Sequence, residues 1–375
     1  MAKTEKTAGG NGSVLTRLPI IRGVASSAAT YKTLDKKDRK RFWVDSIANN
    51  ALYILIFIFI IYTAIKAPLF LGMGSLANII SQMAYYLPIA LGVGGCIVLT
   101  GTDLSAGRIM GLSAALSVIV LQQTGKRLMA WIPEMPLALN IIVAILVVMV
   151  VGCIVGMVNG FFVAKFSLHP FIVTLATQLI LSGVTLVLFM TNGNNGAPLG
   201  SMQVGYKDFI TGTMLTIGTV KLPWYVLYAA ILVVIMWFIW NKTTFGKNMF
   251  AVGSNPEAAS VSGVNVFKTT VMVHALAGIM YGLNGFIAAP YLGSVLSNTG
   301  VNAECEAIAA CVIGGVSFVG GTGKISGIVL GVFILRVIFA ALQFLSIDAN
   351  LQNIIKGGII LFAVALDMRK YLAKK

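Results

Sequence analysis

The sequence predicts an all-α polytopic membrane protein with about ten transmembrane helices. Hydrophobic residues make up 58% of the 375 residues, charged residues only 10%, and the mean hydropathy is +0.90. Apolar runs of about 20 residues, the length that crosses a hydrocarbon core of ~30 Å, recur along almost the whole chain. A membrane β-barrel would instead show short alternating segments, so helices are the expected spanning elements.

Ten segments of the chain meet the length and composition of a membrane span. The third and the eighth are richer in Gly and Ser than the others. In chain order, the predicted spans are 47–66, 76–100, 104–122, 137–164, 170–190, 223–241, 269–290, 303–320, 325–346 and 351–367.

The charge distribution predicts that both termini are cytoplasmic. Residues 1–46 carry ten Lys and Arg and no apolar stretch of signal-peptide length, so they are expected to form a basic tail that is retained. Residues 369–375 form a second basic terminus. This topology places 20 of the 27 Lys and Arg on the cytoplasmic side and 5 outside, in agreement with the positive-inside rule. The net charge of +15 is therefore interpreted as membrane orientation and not as nucleic-acid binding.

Motifs for catalysis or metal binding are missing from the sequence. It has no HExxH or GxSxG triad signature, and its four cysteines lie in or beside spans without a CxxC pair. The GGTGKIS segment at 320–326 fails as a phosphate loop, because Phe318 and Ile325 occupy its required Gly and Ser/Thr positions. An ion-driven carrier would place carboxylates along its path, whereas most acidic residues here lie at span ends. We expect no catalytic or metal site, and an energy source on a partner protein.

The segment NPEAASVSGVNV, residues 255–266, predicts a short, well-capped helix between the sixth and seventh spans. Asn255 is a good N-cap, Pro256 suits the first helical position, Glu257 meets the positive helix end, and Gly263 offers a left-handed stop. A capped turn that only closes a loop remains the alternative.

Uncharged polar residues inside the spans are candidates for lining a passage for a neutral, polyhydroxylated solute. Thr174, Gln178, Ser182 and Thr185 share one face of the fifth span. Further candidates are Ser81, Gln82 and Asn284. Such groups also hydrogen-bond neighbouring helices, so a packing role stays equally open.

The motif GTDLSAGR, residues 101–108, allows two interpretations. Asp103 can cap the third span, with Leu104 and Ser105 beginning the helix. Alternatively, Asp103 and Ser105 belong to a deeper break that lines the passage, as interrupted helices do in transporters.

Two further features of the spans concern helix packing. Glycines four residues apart, such as Gly152, Gly156 and Gly160, predict a seam at which two helices approach closely. Whether such seams slide during transport stays open. Arg336, near the middle of the ninth span, is expected to face the bundle interior with a carboxylate or carbonyl oxygens as partners, and Glu306 is the nearest candidate by depth.

Three regions of the chain resemble the sugar-type permeases of bacterial ABC importers, the family that includes galactose/methyl-galactoside and ribose permeases. They are GTDLSAGR at 101–108, NKTTFGKNMFAVGSNPEAASVSGVNV at 241–266 and EAIAACVIGGVSFVGGTGKISG at 306–327. The C-terminal NLQNIIKGGIILFAVALD at 350–367 is similar as well. The resemblance runs from about residue 45 to the C-terminus, and the basic tail departs from the pattern.

This resemblance implies a type II ABC importer-like permease fold in the bacterial inner membrane, with a transmembrane domain over 47–368. It also implies a homodimer, a cytoplasmic ATPase with two nucleotide-binding domains that binds ATP and magnesium, and a periplasmic sugar-binding protein. The permease itself would hold no cofactor and would carry a monosaccharide such as galactose or glucose.

The short helix would then be the coupling helix of cytoplasmic loop 242–268, which rests in a cleft of the ATPase. Its expected residues are Asn255, Pro256, Glu257, Ala258, Ala259, Ser262 and Gly263. Ala258, Ala259 and Ser262 are expected to form a small docking face, so that bulk at Ala259 disturbs docking more than bulk at Val261. The alternative function is a self-contained facilitator or an ion-coupled secondary sugar transporter.

Overall fold

The computed structural model describes residues 54–372 except 55, 124, 127, 130–134 and 219. The described residues from Phe59 onward form one compact unit. The predicted basic tail 1–46, the beginning of the first predicted span and residues 373–375 lie outside the described residues. The helices are α1 (Ile56–Lys66), α2 (Met73–Val98), α3 (Ala106–Val120), α4 (Leu137–Phe166), α5 (Pro170–Met190), α6 (Val204–Thr211), α7 (Trp224–Lys242), α8 (Thr244–Ser254), α9 (Pro256–Val261), α10 (Val266–Leu292), α11 (Ala303–Ile313), α12 (Ile325–Phe344) and α13 (Ala349–Leu372).

Six of these helices are long and apolar enough to cross a membrane, namely α2, α4, α5, α7, α10 and α12. Helices α1 and α3 are apolar but shorter. Each predicted span contains a described helix. In the third and eighth predicted spans, however, the helix is shorter than a full membrane span. The 15 residues of α3 and the 11 of α11 rise about 22 Å and 16 Å at 1.5 Å per residue, less than the ~30 Å hydrocarbon core.

The prediction of an eighth span over 303–320 is wrong in its second half. Its helix ends at Ile313, and Gly315 (φ +82°), Gly320 (φ +88°) and Gly321 (φ +67°) then adopt left-handed conformations that L side chains rarely take. Residues 314–324 therefore form a loop rather than the second half of a span.

Burial separates the long helices into a central and a peripheral set. The most apolar windows of α2, α10 and α12 are 67–72% buried, whereas those of α4, α5 and α7 are 22–28% buried. The peripheral helices expose apolar side chains such as Ile180 and Val187 on α5. This distribution is expected for helices that face lipid around a protein core.

The glycine seam predicted on α4 packs against the central helix α10. A Cβ on Gly152 would overlap the carbonyl oxygen of Gly278, and a Cβ on Gly278 would overlap that of Gly152. Gly156 meets the carbonyl oxygen of His274 in the same way. The prediction of close helix packing is confirmed, because only glycine lets these two backbones approach so closely.

One end of the bundle carries structure that the sequence did not predict. Between α6 and α7 the strands β1 (Thr213–Ile217) and β2 (Val220–Pro223) pair antiparallel. An isolated bridge joins Leu199 to Val295 beside this region, with 2.8 Å between nitrogen and oxygen in both directions.

Candidate coupling segment and translocation path

The short helix α9 has both of the end signals that its sequence predicted. The Asn255 Oδ1 accepts a hydrogen bond from the Ala258 backbone N–H at 2.9 Å, with Pro256 at the first helical position. Gly263 has φ +84°, and the Val264 N–H donates to the Ala259 carbonyl at 3.0 Å. The capped helix is confirmed, with Val261 as its last residue.

The faces of α9 differ from those expected. Ala259 is buried, only 5% exposed, whereas Val261 is 91% exposed and Ala258 and Ser262 are also exposed. Successive helical residues are about 100° apart, so Ala259 turns toward the body of the protein while its neighbours face outward. The expectation that Ala258, Ala259 and Ser262 share one docking face is therefore wrong for Ala259. The remaining expected residues, Asn255, Pro256, Glu257 and Gly263, are exposed.

The chain directly before α9 touches the end of α2 and the motif region at 306–327. A Cβ on Gly253 would overlap the carbonyl oxygen of Val98, the last residue of α2. The Gly321 N–H donates to the same carbonyl at 2.9 Å, and Gly321 also lies against Ser254. Motif regions that are far apart in sequence thus meet immediately behind the short helix.

Asp103 is fully buried at the break before α3. Its Oδ1 accepts hydrogen bonds from the Ser105 backbone N–H at 2.9 Å and from the Ser105 Oγ at 2.6 Å. Its Oδ2 has no hydrogen-bond partner among the described residues. Helix α3 begins at Ala106 with Ser105 at its N-cap position and no side-chain capping bond, so the expectation that Asp103 caps a helix beginning at Leu104 and Ser105 is wrong, and Asp103 organises the turn before the helix instead.

A chain of side-chain hydrogen bonds ties this turn to α4 and α5. Asn159 Nδ2 donates to Ser105 Oγ at 3.0 Å, and Thr177 Oγ1 donates to Asn159 Oδ1 at 2.6 Å. The Leu104 N–H donates to Thr174 Oγ1 at 3.1 Å. The sequence analysis did not identify Asn159 and Thr177 as site residues. The available signal was the position of Asn159, a polar amide between Gly156 and Gly160 of the glycine seam.

The expected path residues do not form one surface. Asp103, Ser105 and Thr174 come together, and Gln178 and Ser182 lie half-buried further along α5. Asn284 is buried elsewhere and donates to the Tyr85 carbonyl at 2.6 Å, which is a helix-packing contact. Gln82 is half-buried on α2, and Ser81 lines an open cavity of about 720 Å³ beside Lys221 and Tyr225.

The predicted partner of Arg336 is confirmed. Arg336 Nη2 lies 2.5 Å from Glu306 Oε2, and Lys356 Nζ lies 2.9 Å from Glu306 Oε1. The guanidinium carbon lies 3.7 Å from the ring centroid of Tyr86, a cation–π contact. One carboxylate is thus shared by two cations from α12 and α13.

The described residues contain no group of three or more His, Cys, Asp and Glu that could hold a metal ion. The buried His274 has its Nδ1 2.9 Å from the Thr270 carbonyl oxygen, within its own helix.

Six long apolar helices with buried hydrogen-bonding groups between them are the features of a multi-pass membrane protein. A family profile described as "Branched-chain amino acid transport system / permease component" matches residues 75–364. The chain belongs to this permease family. It is a multi-pass inner-membrane permease and not an enzyme.

The relatives of the chain include sugar permeases. The chain is 40% identical to the galactose/methyl galactoside import permease protein MglC of Salmonella typhimurium over 338 residues, 90% of this chain and 98% of the relative. It is 41% identical to MglC of Haemophilus influenzae over 88% of this chain and 97% of the relative. The ribose import permease protein RbsC of Bacillus subtilis is 34% identical over 89% of this chain and 97% of the relative. No solved structure matches the chain.

Proposed function

We propose that this chain is the membrane-spanning subunit of an ATP-driven importer that moves a monosaccharide of the galactose or glucose type into the cytoplasm. The observation that carries the proposal is the 40% identity to galactose/methyl galactoside import permeases over 90% of the chain. Uncharged hydrogen-bonding groups inside the bundle, such as Ser105, Asn159 and Thr177, suit a neutral solute with many hydroxyl groups.

The proposed architecture has ten membrane-inserted helices in a type II importer arrangement, with cytoplasmic termini. Residues 1–46 and 369–375 are basic tails, 47–368 is the transmembrane domain and 242–268 is a cytoplasmic loop that includes α8 and α9. The charge asymmetry of the sequence supports this topology.

This topology is tested by labelling single cysteines in intact cells with a thiol reagent that does not cross membranes. Asn195 and Val261 are exposed positions in the loop after α5 and on α9, respectively. A cysteine at 195 should be labelled from outside, and one at 261 only after the cells are opened. Labelling of both from the outside would contradict the topology.

In this architecture α9 is the coupling helix that docks on a separate ATPase. Its two fixed ends and its contacts through Gly253 and Ser254 support transmission of force to α2 and to the loop before α12. Val261, an apolar side chain that is 91% exposed, is the proposed anchor in the ATPase cleft. Two permease copies, an ATPase that binds ATP and magnesium, and a periplasmic sugar-binding protein complete the proposed complex.

The test is reconstitution of the permease with its ATPase and sugar-binding protein in proteoliposomes. Uptake of radiolabelled galactose should require all three proteins and ATP, and should cease when the catalytic glutamate of the ATPase is replaced. Unlabelled ribose should compete less well than unlabelled glucose. Uptake by the permease alone, with or without an ion gradient, would instead establish the self-contained facilitator or the ion-coupled carrier.

A further inference from the structure

Residues 293–302, between α10 and α11, form a stretch of non-helical backbone that turns toward α3. We call this stretch the re-entrant segment. It begins beside the end loops, where Val295 pairs with Leu199 at 2.8 Å. After three further residues its backbone lies against the glycines of α3.

The contact with α3 is a close backbone packing. A Cβ on Gly111 would overlap the carbonyl oxygen of Thr299, and a Cβ on Gly107 would overlap that of Gly300. Gly107 is the second residue of α3. The re-entrant segment therefore contacts the first half of α3 through residues 299 and 300, four and five residues beyond the bridge at Val295.

The depth of this segment follows from the cavity that it lines. Asn298 and Asn302 share a cavity of about 380 Å³ with Tyr85, Tyr86 and Glu306. Tyr85 is residue 13 of the 26 in α2, and Glu306 is paired with residue 12 of the 20 in α12. The cavity wall thus reaches the middle of two long central helices, which is the middle of the bilayer for helices of this length.

Two side chains on this segment are polar and uncovered. Asn298 and Asn302 are exposed, and neither side-chain amide makes a hydrogen bond to another described residue. Asn302 has φ +65° and precedes α11 without a capping bond from its side chain. At membrane depth, irregular backbone and free amides are tolerated only inside protein or against a water-filled cavity, because hydrocarbon offers no hydrogen bonds.

We propose that the re-entrant segment lines the water-filled passage and that the side-chain amides of Asn298 and Asn302 contact the transported solute. An amide both donates and accepts hydrogen bonds, so a pair of them can follow the hydroxyl groups of a neutral sugar without holding it tightly. The identity of the solute as a monosaccharide rests on the proposed function, whereas exposure of the segment to water does not.

Cysteine accessibility tests the exposure to water. In a variant whose four native cysteines are replaced, single cysteines are placed at Asn298 and at Ile180, an exposed apolar position in the middle of α5. A charged methanethiosulfonate reagent reacts with the hydrated thiolate, so Cys at 298 should react at least about tenfold faster than Cys at 180. Equal, slow reaction at both positions would overturn the proposal, since a second permease copy or lipid would then cover the segment.

Sugar contact is tested in the complete complex during transport. Galactose import should slow the modification of the cysteine at 298, and Asn302→Gly should lower the uptake rate without lowering the thermal unfolding temperature. Glycine keeps the left-handed backbone and removes only the amide. Modification at 298 that is insensitive to import, together with normal uptake by Asn302→Gly, would overturn the contact. Failure of the unmodified complex to import galactose would instead count against the proposed function. The reaction rates of the cysteines at 298 and 180 would still decide whether the re-entrant segment is exposed to water.

Discussion

Arg336 on α12 and Glu306 on α11 form a buried ion pair, with 2.5 Å between Nη2 and Oε2 and side chains only 5% and 15% exposed. The carboxylate also binds Lys356 of α13, whose side chain is 28% exposed. This shared carboxylate holds three helices together beside the re-entrant segment. Because α11 is too short to span the membrane, its position depends on such contacts more than that of a full-length helix does.

Replacement of Arg336 by Met should destabilise the permease markedly. Removal of one partner of a buried pair typically costs about 3–5 kcal/mol, and the remaining Lys356 keeps the effect at the lower end. Lys356→Met should cost less, because its side chain is more exposed and Arg336 still neutralises the carboxylate. The measurement is thermal unfolding in detergent.

A double variant distinguishes pairing from simple packing. Arg336→Met, Glu306→Gln and their combination form a double-mutant cycle, and the double variant should lose less stability than the two single variants lose together. A double loss equal to the sum of the two single losses would show that the pair is not coupled.

Substitutions on α9 should separate docking from folding. Val261→Asp places a charge on the exposed face and should abolish association with the ATPase, with little change in the unfolding temperature of the isolated permease. Ala259→Trp should lower that temperature, because residue 259 is buried against the permease itself. Co-purification of the ATPase and ATP hydrolysis during transport provide the functional measurements. Normal coupling in Val261→Asp would exclude this face from docking.

Much of the fold follows from local signals in the sequence. Apolar run length locates the long helices, and Asn255 and Gly263 delimit α9, because length and capping depend on residues close together in the chain. The Arg336 pairing was also predictable, because an isolated charge at that depth leaves few alternatives.

The candidate site was harder to predict because it depends on non-local packing. Apolar composition alone does not distinguish α11 and the loop after it from a full span, since glycines such as Gly314 and Gly315 fit a membrane helix as well as a loop. Which face of α9 is buried depends on its neighbours in space. Asn298 and Asn302 lie between the seventh and eighth predicted spans, so the span pattern does not identify their amides as site groups.

Asp103→Asn should be tolerated better than Asp103→Ala. Both hydrogen bonds from Ser105 end on Oδ1, so an asparagine oxygen can accept them, whereas alanine leaves the buried Ser105 donors without that partner. The expected cost of the alanine variant is about 1–3 kcal/mol, and that of the asparagine variant is close to zero. Thermal unfolding of both variants in detergent is the measurement. If both lose the same stability, the negative charge itself, and not its hydrogen bonds, stabilises the turn before α3.

The seam between α4 and α10 offers a matched pair of glycine substitutions. Gly152→Ala drives a Cβ into the Gly278 carbonyl, and backbone cannot yield as a flexible side chain would. Its cost should exceed the ~1–3 kcal/mol of ordinary overpacking, with loss of folded protein in detergent. Gly183→Ala on α5 is the control, because nothing lies within 4 Å of its added Cβ, and it should leave stability unchanged or slightly raised. Folded yield by size-exclusion chromatography and thermal unfolding compare the two. Similar behaviour of both variants would mean that α4 and α10 can separate at this seam without loss of the fold, as a sliding contact during transport would require.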